Sequence, residues 1–386
     1  MAFTTPDNIT CGEQVFDACF HPNSNALAVG LIDGSIEVHN VGFDENDSKK
    51  LMTLKLHKKS CRGVAFSDDG YNLYSISSDK SIRVVDQGGK VSSKYLKAHD
   101  SPINKLLLID SNVFVSGDDS GSIKIWDIRK PTLVRSYNMH EDFISGLSYL
   151  PENNTLLSVG GDAFLCAYDL RVEKNVIRSD DQESEIHCMS IVKWNKKVIC
   201  GTQEGVVLIF SWGRWGDCSD RYPGNIQSVN CMLKMDESTV ILGSDDGLLR
   251  VVSIQPNREL GILGSHDSFP VEGLIQNKNT ALIASFSHDE TVRFWDSTSL
   301  REMIVEGEQG GDFCENEKRD DEGDMVVDHA ENMKEDTMLV ENNGINDTDS
   351  DGEEINSQSQ SERGGKGRKK NHARLPNRNE RFFSDL

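Results

Sequence analysis

Four sets of histidine, serine and aspartate recur at nearly constant spacing: His57, Ser75 and Asp79; His99, Ser116 and Asp119; His140, Ser158 and Asp162; His266, Ser285 and Asp289. These residue types can form a nucleophilic relay, in which an imidazole takes the hydroxyl proton and a carboxylate orients the ring. A relay is built once, whereas these sets repeat in step with the sequence. Buried polar groups need partners, and each one left unsatisfied costs about 1–3 kcal/mol, so such groups come together or are absent together. Three further segments lack the leading histidine and carry Val29, Cys200 and Leu242 where the serine would stand. The sets are therefore read as structural staples, and no residue is given a catalytic role. The sequence has no P-loop, G-x-S-x-G, H-E-x-x-H or dinucleotide fingerprint. The glycine-containing run Gly117 to Ser122 has no helix after it to cradle a phosphate. Nine cysteines are scattered from Cys11 to Cys314, with no C-x-x-C pair and no zinc spacing among Cys and His. Neither an enzyme nor a metal or other cofactor is expected, and the odd cysteine count suits reduced thiols.

The elements that position these residues are short. The segments opening at His57 and His99 start 42 residues apart, and the next, at His140, follows 41 later. Weaker copies start at Val15, Ile186 and Ile226, giving seven units with a period of about 41 residues. Each unit reads as β-rich runs broken by turns. Asp33-Gly34, Glu204-Gly205 and Asp246-Gly247 separate apolar runs, the signal of a tight hairpin in which glycine takes positive φ. The prediction is an all-β, seven-bladed propeller over 1–305, four strands to a blade, closed so that no sheet edge is left open. Either 300–305 or 2–11 can supply the strand that closes the last blade.

Several positions agree at once within a unit. Counting back from Val85, Trp126, Tyr168 and Trp295, the serine lies ten residues earlier and an aspartate six earlier; in the second set Ser120 holds that place and Asp119 stands one step off. On these residues the chain resembles the WD-repeat family over 13–300. Two neighbouring units end in Trp126-Asp127-Ile128-Arg129 and Tyr168-Asp169-Leu170-Arg171. Blade packing uses the aromatic and the aspartate but not an arginine two residues on, and other units carry Gly88, Thr298 and Gln255 nearby. The pattern resembles the box of WD-repeat substrate receptors of cullin-4 ubiquitin ligases. That resemblance implies docking of Trp126, Asp127, Arg129, Tyr168, Asp169 and Arg171 on the damaged-DNA-binding protein 1 adaptor. The alternative is that each arginine pairs with a nearby aspartate as a surface ion pair.

The net charge of −22 is uneven: about −17 falls on 306–362 and about +6 on 363–386, leaving about −11 for 1–305. The acidic stretch has no apolar period and is expected to be disordered. It holds Thr348 and Ser350, followed by carboxylates, candidates for an acidophilic kinase such as casein kinase 2. Lys366, Arg368, Lys369 and Lys370 form a basic cluster of nuclear-targeting type. So acidic a chain does not coat nucleic acid; weak contact through the tail is the most to expect, since Phe382 and Phe383 are its only stacking groups. No run of apolar residues is long enough for a membrane helix, and no secretory signal is visible at the start.

The terminal Phe382-Phe383-Ser384-Asp385-Leu386 has no core to enter. With seven blades, an acidic spacer and a basic end, this layout resembles one nuclear and nucleolar WD-repeat family with some cytoplasmic presence. The resemblance implies a part in ribosomal RNA processing and development and, for some members, a cullin-4 receptor role. Three functions follow as expectations: a substrate receptor, a nucleolar assembly scaffold, and a reader of histone peptides. In each the chain acts as a single copy within a larger complex, with pre-ribosomal proteins or histones among the candidate partners.

Overall fold

The computed structural model describes residues 5–300, apart from 43–47, 131, 173–174, 225, 279 and 299. The chain divides into two units, Met1–Asp312 and Phe313–Leu386, and the described residues belong to the first. The expected propeller end at 305, the acidic segment with Thr348 and Ser350, and the basic segment with Lys366, Arg368, Lys369 and Lys370 lie outside the described residues.

Seven four-stranded antiparallel sheets follow one another along the described chain. Blade 1 opens at Val15–Phe20, blade 2 at Cys61–Phe66, blade 3 at Ile103–Leu108 and blade 4 at Ile144–Leu150. Blade 5 opens at Ile186–Val192, blade 6 at Cys231–Lys234 and blade 7 at Val271–Gln276. The second strand of each blade is buried on both sides, as in Thr155–Gly160, so it reads as a continuous apolar run. Its alternate side chains face opposite neighbours. Leu156 packs into the seam with blade 3, and Leu157 and Val159 into the seam with blade 5. Among the described residues seven apolar clusters of this kind are found, each shared by two adjacent blades. The cluster between blades 7 and 1 joins Phe286 and Phe294 to Leu27 and Val29, which closes the ring.

Of the two segments able to complete blade 7, the N-terminal one does so. Ile9–Thr10 pairs with Thr291–Asp296, Ile9 opposite Val292. The hairpins form as their residues dictate: Gly34, Gly205 and Gly247 have φ of 85°, 77° and 80°. At Gly205 a Cβ would lie 1.8 Å from the carbonyl oxygen of Ile226, so both backbone angle and space exclude a side chain.

Candidate functional site

The four histidines lie before the first strand of blades 2, 3, 4 and 7, and the serines lie within the buried second strands. In blade 7, Ser285 Oγ lies 2.7 Å from His266 Nε2 and accepts from Trp295 Nε1 at 2.7 Å, while Asp289 lies 2.8 Å from His266 Nδ1. In blade 4, His140 meets Ser158 at 2.6 Å and Asp162 at 2.9 Å. In blade 2, His57 meets Ser75 at 2.9 Å; Ser81 lies 3.1 Å and Asp79 3.5 Å from its Nδ1. With Val85 in the aromatic's place, Ser75 there has no indole donor.

Blade 3 corrects the expected set. His99 Nδ1 lies 2.8 Å from Asp118, not Asp119, and Ser116 bridges His99 Nε2 at 2.6 Å and Trp126 Nε1 at 2.8 Å. Asp119 instead accepts two hydrogen bonds from the Arg62 guanidinium at 2.8 and 2.9 Å. The signal for Asp118 was present in the sequence. Asp79 and Asp289 each also bind the backbone and hydroxyl of the residue two later, Ser81 and Thr291. Asp118 does the same with Ser120. The Asp-x-Ser/Thr turn thus moves one step with its aspartate.

Burial lowers the pKa of His99 and His266 and favours the neutral ring. Burial is the largest single influence on the carboxyls of Asp118, Asp162 and Asp289 and would raise them, but the hydrogen bonds from the histidine and from neighbouring hydroxyl and backbone groups together outweigh it and hold them below the ordinary value. Each serine hydroxyl is engaged with its histidine in the interior of a blade, so none is presented as a nucleophile.

One further cluster has metal-ligand chemistry among the described residues: Cys11, Glu37 and His39, all buried where the closing strand meets blade 1. Glu37 is already bonded to Lys50 at 2.6 Å and to His39 at 2.9 Å. Burial pushes the Cys11 thiol up to about 12, so it stays neutral. The cluster is a satisfied charge network.

The two arginines following the Asp residues form equivalent structures. Asp127 and Asp169 end the third strands of blades 3 and 4. Arg129 Nε and Nη2 donate to the two Asp127 oxygens at 2.8 and 2.9 Å, and Arg171 does the same to Asp169 at 2.8 Å each. These bonds hold both carboxyls down at about 2. The ion pair expected as the alternative to docking is thus formed in both blades. It does not hide the arginines, whose side chains remain 63% exposed. Each turn is tied back to the first hairpin of its own blade, Ile128 N to Asn112 O at 2.9 Å and Leu170 N to Asn154 O at 3.0 Å. Arg135 of blade 3 donates to Leu170 O at 3.0 Å, which ties the second box to the neighbouring blade. Trp126 and Tyr168 are buried in blade seams and position the turns without being available to a partner. Exposed apolar residues that sequence reasoning missed, Leu133, Val134 and Val172, lie in the same third-to-fourth-strand connections. No periodic signal marks them, because their exposure exists only in the folded chain.

Seven blades, four of them stapled by His–Ser–Asp networks, with Trp-Asp pairs ending two of the third strands, define a WD-repeat β-propeller. The chain belongs to the WD repeat-containing protein 55 family: the family profile described as WDR55 matches residues 6–300. It is 37% identical over 303 residues to WD repeat-containing protein 55 of Homo sapiens, covering 78% of this chain and 79% of the relative. The Arabidopsis thaliana protein of that name is 36% identical over 301 residues, covering 78% and 84%. The Drosophila willistoni homolog is 34% identical over 316 residues, covering 82% and 61%.

Proposed function

We propose that the chain is a non-enzymatic scaffold that docks, through Arg129 and Arg171, on the damaged-DNA-binding protein 1 adaptor of a cullin-4 ubiquitin ligase. One observation carries the reading: two guanidinium groups, each pre-oriented by a two-point bond to its aspartate and each exposed, stand at equivalent places on adjacent blades. Guanidinium binds carboxylates and carbonyls with directed bonds, and arginine recurs at interface hot spots. Because the rotamers are already fixed, little side-chain entropy is lost on docking. The test is affinity purification of wild type beside Arg129→Ala/Arg171→Ala at moderate salt, read by mass spectrometry. Adaptor and cullin recovered with wild type and lost with the double variant support the reading. Equal recovery with both, or with neither, ends it.

A second role, nucleolar assembly in ribosomal RNA processing, is favoured by the basic cluster Lys366, Arg368, Lys369 and Lys370. It predicts that removal of 363–386 disperses a nuclear and nucleolar protein into the cytoplasm and that depletion accumulates ribosomal RNA precursors. Normal precursor levels count against it. The two roles are compatible, since one uses a propeller face and the other the tail. A histone-peptide role has no comparable feature behind it.

A further inference from the structure

We propose that Trp194 is the apolar anchor of the same docking face, inserting into a pocket of the partner that receives Arg129 and Arg171; the inference rests on that reading of the two arginines. Trp194 is 69% exposed, the most open of the large apolar side chains among the described residues. It lies at the tip of the hairpin between Ile186–Val192 and Lys197–Thr202 of blade 5.

The backbone there is left-handed for three residues running, with φ of 54°, 53° and 63° at Lys193, Trp194 and Asn195. Lys196 N closes the turn on Lys193 O at 3.0 Å, with Trp194 and Asn195 at its centre. Such turns select Gly, Asn or Asp at the centre, and Asn195 conforms while Trp194 does not. A large indole thus stands where the backbone disfavours it and where water surrounds it. Neither stability nor solubility accounts for the residue, and strain of this kind points to function.

The tip is also rigid. Lys193 N donates to Glu237 O at 2.9 Å and the Trp194 amide to the Glu237 carboxylate, which Lys234 holds at 2.6 Å. Lys193 Nζ reaches Ser238 Oγ at 3.0 Å and Gln255 O at 3.1 Å. The indole is therefore presented on a fixed support, which lowers the entropic cost of binding.

Topology places this hairpin with the arginines. In an antiparallel blade the first strand ends on the edge where the third ends. Backbone bonds join those two turns in blades 3, 4 and 5 alike: Ile128 to Asn112, Leu170 to Asn154 and Trp212 to Lys196. Arg129, Arg171 and Trp194 thus follow one another on consecutive blades of one face, with exposed Leu133, Val134 and Val172 in its third-to-fourth-strand connections. The partner that fits is a protein surface offering carboxylates or carbonyls to the guanidinium groups and an apolar pocket beside them. Trp and Arg are the residue types most enriched at such hot spots.

The test measures the affinity of the full chain for purified adaptor, and its thermal midpoint, for wild type, Trp194→Ala, Trp194→Gly and Arg129→Ala/Arg171→Ala. Both Trp194 variants should weaken binding by on the order of 30-fold or more. Trp194→Gly should hold or raise the thermal midpoint, because glycine accepts the turn, so lost binding cannot come from unfolding. Wild-type affinity in Trp194→Gly, with binding lost in the arginine variant, overturns the anchor and leaves the arginine reading standing. Absence of wild-type binding overturns both. Self-association that Trp194→Ala abolishes, without an effect on the adaptor, assigns the indole to a second copy and also overturns the proposal.

Discussion

Asp118 reaches His99 Nδ1 at 2.8 Å from the last residue of a strand, whereas Asp79, Asp162 and Asp289 reach their histidines from the turn beyond. The same carboxylate also accepts from the amides of Ser120 and Ser122. It links the histidine to the turn in one step. Asp118→Asn should cost about 2–3 kcal/mol, because it breaks a buried network while leaving its other members in place. The nitrogen chemical shifts of His99 should change with it. Asp119→Asn should leave those shifts untouched, since Asp119 serves Arg62. A His99 signal that follows Asp119 instead would refute the assignment.

Stability should fall with acid in two stages. His99 and His266 have folded values lowered from the ordinary 6.5, so the unfolded chain takes up their protons first. The stability they contribute is complete above about 6.5 and is lost as pH falls through the lowered folded values. Asp118, Asp162 and Asp289 are lowered from 3.8, so theirs is complete above about 3.8 and lost below it. Asp17 and His288, both raised, contribute in the opposite sense over part of this range, so the first stage is read at the two rings: proton titration of His99 and His266 in the folded chain should begin only below about 6.5. Rings that protonate at or above that value contradict the first stage.

Much of this architecture was legible in the chain because it repeats. His57, His99, His140 and His266 announce themselves by spacing, and the loss of the serine in the copies without histidine already spoke for coupled burial. What was not legible is local and unrepeated. Three polar residues in a row, Asp118, Asp119 and Ser120, hid which carboxylate meets the ring. Ile9–Thr10 is too short to carry a period, so the closing strand could not be chosen. Trp194 has no pattern at all: its meaning comes from the backbone angle and the exposure, which exist only in the folded chain.

Asp17 should respond to pH in the opposite direction from the histidines. Burial raises its carboxyl to about 6, although it accepts from Val64 N at 2.8 Å. The folded chain therefore keeps a proton that the unfolded chain, near 3.8, has released. The stability this proton provides is full below about 3.8 and is lost as pH rises through about 6. Asp17→Asn keeps an acceptor for Val64 and removes the buried charge. It should stabilise the protein by about 2–3 kcal/mol at pH 7.5 and by well under about 1 kcal/mol at pH 4. Chemical denaturation at the two pH values decides it; equal effects at both contradict the buried-charge account.

The ring depends on a short strand. Ile9 is 7% exposed and packs with Val292 and Phe294, and Cys11 N adds a bond to Glu290 O at 3.0 Å. Ile9→Ala removes buried methyl and methylene groups from the seam between blades 7 and 1 and should cost about 2–4 kcal/mol. Removing residues 1–11 should do something different in kind. It strips the outer partner from Thr291–Asp296 and leaves its amides and carbonyls as an open edge beside exposed apolar surface. Such an edge recruits other strands, so the truncated chain should associate in light scattering where the Ile9→Ala variant stays dispersed. A truncated chain that remains dispersed with an unchanged midpoint would mean that Ile9–Thr10 is a passenger on blade 7, and that Leu282–Ser287 and Thr291–Asp296 close the ring without it.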